Sequence, residues 1–222
     1  FNDNFVHLKK IIYSLNLPPV KGILLDLGLS SMLLEDSGRG FSFQRDEPLD
    51  MRYCNPPIKG SLTATDIINT WSVSELDRIF WQYGEETNHQ RIASVIVKAR
   101  LIKKIETTQQ LVHLINQIIP VTRKNIHPAT KIFQALRIAV NQELINLTEV
   151  LKQSMDVLSP QGRLVVISYH SLEDRIVKRF FIQQNKLRRI RILTKKPIRP
   201  GKEEIQYNFR SRSGKLRVME KI

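Results

Sequence analysis

Val165-Val166-Ile167-Ser168-Tyr169-His170-Ser171-Leu172-Glu173-Asp174-Arg175 decides the fold. An apolar, β-branched run stops at a cluster of hydroxyl, imidazole and carboxylate groups, and a charged, helix-like segment follows at once. The pattern predicts a buried strand over 163–168 and a helix over 172–183. In an open α/β sheet, ligands bind beyond the carboxyl ends of the strands, so polar groups there are placed for chemistry. A turn that merely joined strand to helix would need one capping residue, not six polar side chains in seven positions.

A second stretch repeats the logic. Val20 to Gly28 is an apolar strand ending in Asp26, followed by a glycine turn and Ser30-Ser31. Its continuous apolarity suggests burial on both faces, as in a parallel sheet. The two strand ends then place Asp26, Ser30 and Ser31 near Ser168, Tyr169 and His170, a geometry suited to a nucleotide-like ligand. No P-loop or Gly-x-Gly-x-x-Gly is present, and the five scattered His offer no metal spacing, so the metal expectation is none.

Between these strands the period changes. Residues 37–60 are rich in Gly, Pro, Asp and Arg and read as a long loop, which in an ordered protein is usually functional. From Thr63 to about Ile119 the pattern is helical. Ser72 caps a helix through Trp81. Ile92, Val95, Ile96 and Ala99 mark a second helix, and Thr107 or Thr108 caps a third carrying Leu111, Leu114, Ile115 and Ile118. These helices read as an insert. Leu136, Val140, Leu144, Leu147, Leu151 and Leu158 form the stripe of one long helix stopping at Ser159-Pro160-Gln161-Gly162. Strands at Ile190 to Thr194 and Lys215 to Lys221, joined by the basic Pro197–Ser213 connection, close the chain. The expected organisation is a core over 1–55, a helical insert over 56–125 and a second core part over 126–222. Phe1 is not an initiator Met, and Phe1 to Phe5 reads as a strand end leading into a helix at Val6 to Leu15, as if the chain began inside a fold.

Charge points to the partner. The 222 residues carry a net +14, yet residues 175–222 hold 16 Lys and Arg against 3 Asp and Glu, while the preceding 174 hold 19 against 18. A neutral body with so basic a final segment attracts polyphosphate by displacing condensed counterions. No apolar run is long enough for a membrane helix and no signal-peptide pattern opens the chain. A single cysteine, Cys54, excludes an internal disulfide and suits a reducing cytoplasm. The expected partner is nucleic acid rather than a membrane, and a homodimer is an assembly to test for.

Several blocks carry a resemblance: Gly22-Ile23-Leu24-Leu25-Asp26-Leu27-Gly28, Arg39-Gly40-Phe41-Ser42-Phe43, Pro48-Leu49-Asp50-Met51-Arg52 and Tyr83-Gly84-Glu85-Glu86. His127-Pro128-Ala129-Thr130, Phe133 to Ile138, Ile167 to Arg175 and Arg210-Ser211-Arg212-Ser213 with Lys215-Leu216-Arg217 complete them. In this order they resemble the bacterial 16S rRNA (cytosine-N4)-methyltransferases of the RsmH or MraW type. The resemblance implies an α/β, Rossmann-like class I methyltransferase fold, N-terminally truncated, with an inserted all-helical subdomain. It implies S-adenosyl-L-methionine as cofactor and a cytosine of the small-subunit ribosomal RNA as substrate. The family's glycine-rich donor loop lies upstream of anything in these residues, so weak donor binding by this chain alone is expected. Phe5 matches the aromatic residue near the donor's adenine, and Asp26 a donor-contacting acid. The family's glutamine after the paired serines, with its preceding proline, is replaced here by Leu33 and Met32.

The residues fit that chemistry in their own terms. A cytosine amine is a poor nucleophile because its lone pair is delocalised, and an enzyme assists by accepting its hydrogen bond and fixing the attack angle. Methylation at ring carbon 5 would need a cysteine thiolate, and Cys54 has no activating charge beside it in sequence. The catalytic candidates are Ser30, Ser31, Ser168 and His170. Ser30 and Ser31 either accept the amine hydrogen or cap a turn. His170 either meets phosphate or ribose or is structural. Tyr169 is placed to stack on a flipped base. Glu173 and Asp174 either serve the site, pair with Arg175 and Lys178, or sit at a helix N-terminus, where negative charge is favoured. Phe41 and Phe43, interleaved with Arg39 and Arg45, either stack on RNA bases or anchor the loop in the core. Arg210, Arg212 and Arg217 are expected to bind phosphate. The alternatives are a non-catalytic RNA-binding remnant and a methyltransferase acting on another nucleic-acid amine.

Overall fold

The computed structural model describes residues 1, 3–35, 37–54, 59–120 and 127–222. The expected boundaries at 55/56 and 125/126 fall on residues outside this set. Among the described residues the order is α1 (Leu8–Ser14), β1 (Val20–Asp26), α2 (Ser31–Glu35), α3 (Ala64–Thr70), α4 (Val73–Gln82), α5 (His89–Arg100) and α6 (Thr108–Asn116). There follow α7 (Ala129–Asn141), α8 (Glu143–Val157), β2 (Leu158–Ser168), α9 (Ser171–Lys186), β3 (Ile190–Ile192), α10 (Lys202–Tyr207) and β4 (Lys215–Lys221). The chain forms two compact units, one of residues 1–28 with 144–222 and one of residues 29–143.

The first unit is a mixed α/β layer. Its four strands run in the order β1-β2-β4-β3, with β1 and β2 parallel and β4 antiparallel to both its neighbours. Leu25, Leu164, Val166, Met219 and Ile190 bury one face of the sheet against Leu147, Val150 and Leu151 of α8 and Val177 and Phe181 of α9. Two-sided burial of β1 does not hold: Leu24 is 64% exposed and, within the strand, Leu25 alone is buried. β1 is an edge strand of this sheet and the core lies on the face to which Leu25 points, so alternate residues meet solvent. Ser159 to Gly162 is likewise not a helix-ending loop. It is a bulge inside β2, where the register jumps from Val20↔Leu158 to Gly22↔Arg163 and Gln161 takes a positive φ of 63°. The amino end also departs from expectation, since Phe5–His7 is a 3₁₀ turn capped by the Asn4 side chain rather than a strand end.

The second unit is helical. Its α4 and α6 begin with reciprocal capping boxes, Ser72 with Glu75 and Thr107 with Gln110, as the spacing predicts. Ile67, Ile68, Leu76, Phe80, Ile92, Ile96, Leu111, Ile115, Ile132 and Leu136 fill its core. The stripe from Leu136 to Leu158 is not one helix. Gln142 adopts a left-handed conformation (φ 52°), its N–H bonding to the Ile138 carbonyl, and so ends α7. No helix among the described residues is long and apolar enough to cross a membrane.

Candidate active site

Parallel pairing sets the carboxyl ends of β1 and β2 side by side: Asp26 lies opposite Ile167, and the Leu27 N–H continues the ladder to the Ile167 carbonyl at 3.0 Å. Just past this rung stand Asp26 and Tyr169. The exposed Asp26 carboxylate accepts the Gly28 N–H at 2.9 Å, and its charge reaches the phenol of Tyr169. Gly28 is needed for this approach, because a Cβ there would sit 3.0 Å from both Asp26 Oδ1 and Tyr169 Cε2. Burial, then the Asp26 charge and the hydrogen bond to it, then the charges of Glu173 and Glu204, push the Tyr169 phenol above its ordinary value. It therefore stays a donor at neutral pH.

His170 is the N-cap of α9, and Glu173 is the third residue of that helix. The Glu173 carboxylate accepts the N–H groups of Tyr169 at 2.9 Å and His170 at 3.3 Å, while His170 Nδ1 faces the Glu173 N–H at 3.5 Å. Of the readings of Glu173, the structure gives the helix N-terminus: a buried carboxylate that satisfies the amides of Tyr169 and His170 just before α9 and holds the loop from Ser168 in one shape. Ser168 is buried, its hydroxyl 3.4 Å from the Lys215 carbonyl on β4. It faces the sheet interior rather than an open cleft.

Two further expectations are corrected. Arg217, expected to bind phosphate, is 7% exposed and donates Nε and Nη2 to the two oxygens of Asp174 at 2.6 and 3.2 Å. Asp174 accordingly ties α9 to β4, with the Lys215 ammonium 3.7 Å away as a second cation. Burial alone would raise the Asp174 carboxyl, but the hydrogen bond and charge of Arg217, with Lys215 and Lys178, hold it below the usual carboxylate range. Phe41 and Phe43 are loop anchors, not a stacking surface. Phe41 is 7% exposed and stacks on Tyr53 at 5.6 Å, and Phe43 packs on His127 at 4.7 Å and edge-on to Phe133 at 5.2 Å. An apolar ring beside apolar neighbours gains more from leaving water than it could from waiting in it.

The remaining candidates are accessible. Ser30 and Ser31 are exposed in the helical unit, where the Ser30 carbonyl accepts the Leu34 N–H as α2 begins. Met32 is exposed, and Leu33 packs against that unit's core. Phe5 presents a partly exposed ring on its 3₁₀ turn. Arg210 and Arg212 lie on the exposed 3₁₀ turn Phe209–Ser213. Sequence reasoning missed Gly28, whose place between Asp26 and Tyr169 needs the strand register. It also missed Tyr207 and Phe209, whose signal was an interleaving with Arg210 and Arg212 like that noticed at Phe41 and Phe43.

The whole chain, residues 1–222, matches the model of the MraW methylase family. It is 49% identical over 236 residues to the ribosomal RNA small subunit methyltransferase H of Thermomicrobium roseum, covering 100% of this chain and 72% of that protein. The same-named proteins of Persephonella marina and Dictyoglomus thermophilum are 48% and 50% identical, over 99% and 100% of this chain and 74% and 72% of their own lengths.

Proposed function

The chain belongs to the MraW methylase family and is a methyltransferase, and on that premise we propose that it methylates the exocyclic N4 of a cytosine in small-subunit ribosomal RNA, with S-adenosyl-L-methionine as methyl donor. The observation that carries the reading is the Asp26 carboxylate, exposed at the joint end of two parallel strands and oriented by the Gly28 N–H. The Gly28 N–H leaves acceptor capacity on its two oxygens, which suits the hydroxyl or ammonium groups of a cationic donor. Asp26 and the ring of Phe5 would hold that donor, which supplies an electrophilic methyl group.

The chain's own residues supply positioning. The Gly28 N–H orients the carboxylate before anything binds, so little reorganisation is needed on binding. Glu173 and His170, by capping α9, keep Tyr169 in place. Ser30 and Ser31 are the exposed hydroxyls proposed to accept the amine hydrogen as its lone pair turns to the methyl carbon. No covalent intermediate is required, in keeping with a half-buried Cys54 whose carbonyl takes the Arg39 guanidinium. The basic face from residue 175 onward supplies affinity for RNA, and a ribosomal substrate places the work in the cytoplasm.

The test is transfer of tritiated methyl from labelled donor to small ribosomal subunits and, separately, to DNA, followed by nucleoside analysis. Label in 4-N-methylcytidine of the ribosomal RNA is expected. Label in DNA alone, or in another nucleoside, overturns the reading.

A further inference from the structure

We propose that Tyr207 and Phe209, with Arg212, form a stacking platform for the unpaired bases of an RNA strand. The proposal rests on ribosomal RNA being the substrate and adds the surface that grips it. Tyr207 is 92% exposed and Phe209 66%, so two large rings stand in water one residue apart. Leaving that much apolar area hydrated costs stability that nothing within the turn recovers.

The rings are nevertheless held on a folded scaffold. The Asn208 N–H donates to the Glu204 carbonyl at 2.8 Å, closing α10. The Asn208 side chain takes the Arg210 N–H at 3.2 Å, and its carbonyl takes the Ser211 N–H at 2.9 Å and the Ser211 hydroxyl at 2.8 Å. The Gly214 N–H then reaches the Ser211 carbonyl at 2.7 Å. The Arg212 guanidinium lies over the Phe209 ring, 4.2 Å from its centre, and its Nη1 donates to the Phe209 carbonyl at 3.2 Å. A planar cation seated on an aromatic face extends the stacking surface and sets a positive charge where a phosphate would pass.

Charge selects the occupant. The rings sit within the segment that carries 16 basic residues against 3 acidic ones. The core of a protein interface is depleted of charge, whereas aromatic rings flanked by cations match single-stranded nucleic acid. An unpaired strand is required, because in a duplex the base faces are covered by one another.

The test measures anisotropy of a fluorescein-labelled single-stranded RNA of about ten nucleotides, and of a duplex of equal length, against the full chain over a range of salt. Tyr207→Ala with Phe209→Ala is expected to weaken single-strand binding by about twentyfold or more, to leave duplex binding unchanged, and to keep the wild-type salt slope. Phe209→Trp is expected to keep wild-type affinity where Phe209→Ala loses it, whereas Arg212→Gln lowers the salt slope by about 0.7. Single-strand affinity within about twofold of wild type in the double variant overturns the platform, as does equal loss for duplex and single strand. Loss of self-association in sedimentation with unchanged RNA affinity assigns the rings to a second copy and overturns it too. Methyl transfer to small subunits, measured alongside, separates the two claims: transfer by a double variant of undiminished RNA affinity overturns the platform alone. Absence of transfer by the wild-type chain at saturating donor, with the platform's affinity pattern intact, overturns the functional reading alone.

Discussion

Arg39 to Arg45 and Tyr207 to Arg212 carry the same interleaving of aromatic and basic residues and end in opposite environments. In the first, Phe41 and Phe43 go into a core, and the guanidinium groups follow the backbone: Arg39 donates to the carbonyls of Arg52 and Cys54, and Arg45 to that of Glu35. In the second, the rings stay in water and Arg212 seats itself on one of them. The difference lies in what surrounds each stretch. The loop before α3 folds over Leu49, Met51 and Phe133, which offer apolar surface, and its turns expose carbonyls that cations can satisfy. The turn after α10 buries Ser211 alone and leaves Phe209 66% exposed.

Truncation breaks the comparison most sharply. Phe41→Ala should destabilise the protein by about 3–5 kcal/mol in denaturant unfolding, because a core ring leaves a cavity. A cost below about 1 kcal/mol would mean that the loop is not anchored there. The buried pair comes next. Asp174→Ala should cost about 3 kcal/mol, since it strands the Arg217 guanidinium inside the sheet layer. Its pH dependence follows from the depressed carboxyl. A group whose folded pKa lies below its unfolded value stabilises above that unfolded value and loses the contribution as pH falls through the folded one. Wild-type stability should therefore fall below about pH 3.8 more steeply than that of Asp174→Asn, and parallel pH curves would remove the pair from the account. Ser72→Ala, which opens the capping box of α4, should cost about 1 kcal/mol in the same unfolding experiment. Phe209→Ala should be the mildest, within about 0.5 kcal/mol; a large loss would show that ring to be structural after all.

Features made by neighbours in sequence were legible. Ser72 with Glu75 and Thr107 with Gln110 announce their helices because both halves of a capping box lie three residues apart. The polar end of β2 was legible for the same reason. Features made by distant partners were not. Arg217 looked like a surface cation because its partner, Asp174, lies 43 residues earlier. His170 drew attention as a reactive group because imidazole is not among the usual N-cap side chains. The break at Gln142 was hidden by a residue type that seldom adopts positive φ. Burial of Phe41 and exposure of Phe209 could not be told apart, because composition records which residues alternate and not what they face.

The most direct test of the account is the donor dependence of methyl transfer to small subunits by Asp26→Asn. The substitution keeps shape and the bond from Gly28 within reach, and removes the charge. A loss in kcat/KM for the donor of about tenfold to a hundredfold is predicted, the worth of one charge-assisted hydrogen bond, with the unfolding curve unchanged. Transfer at the wild-type efficiency would contradict the placement of the active site at the joined ends of β1 and β2.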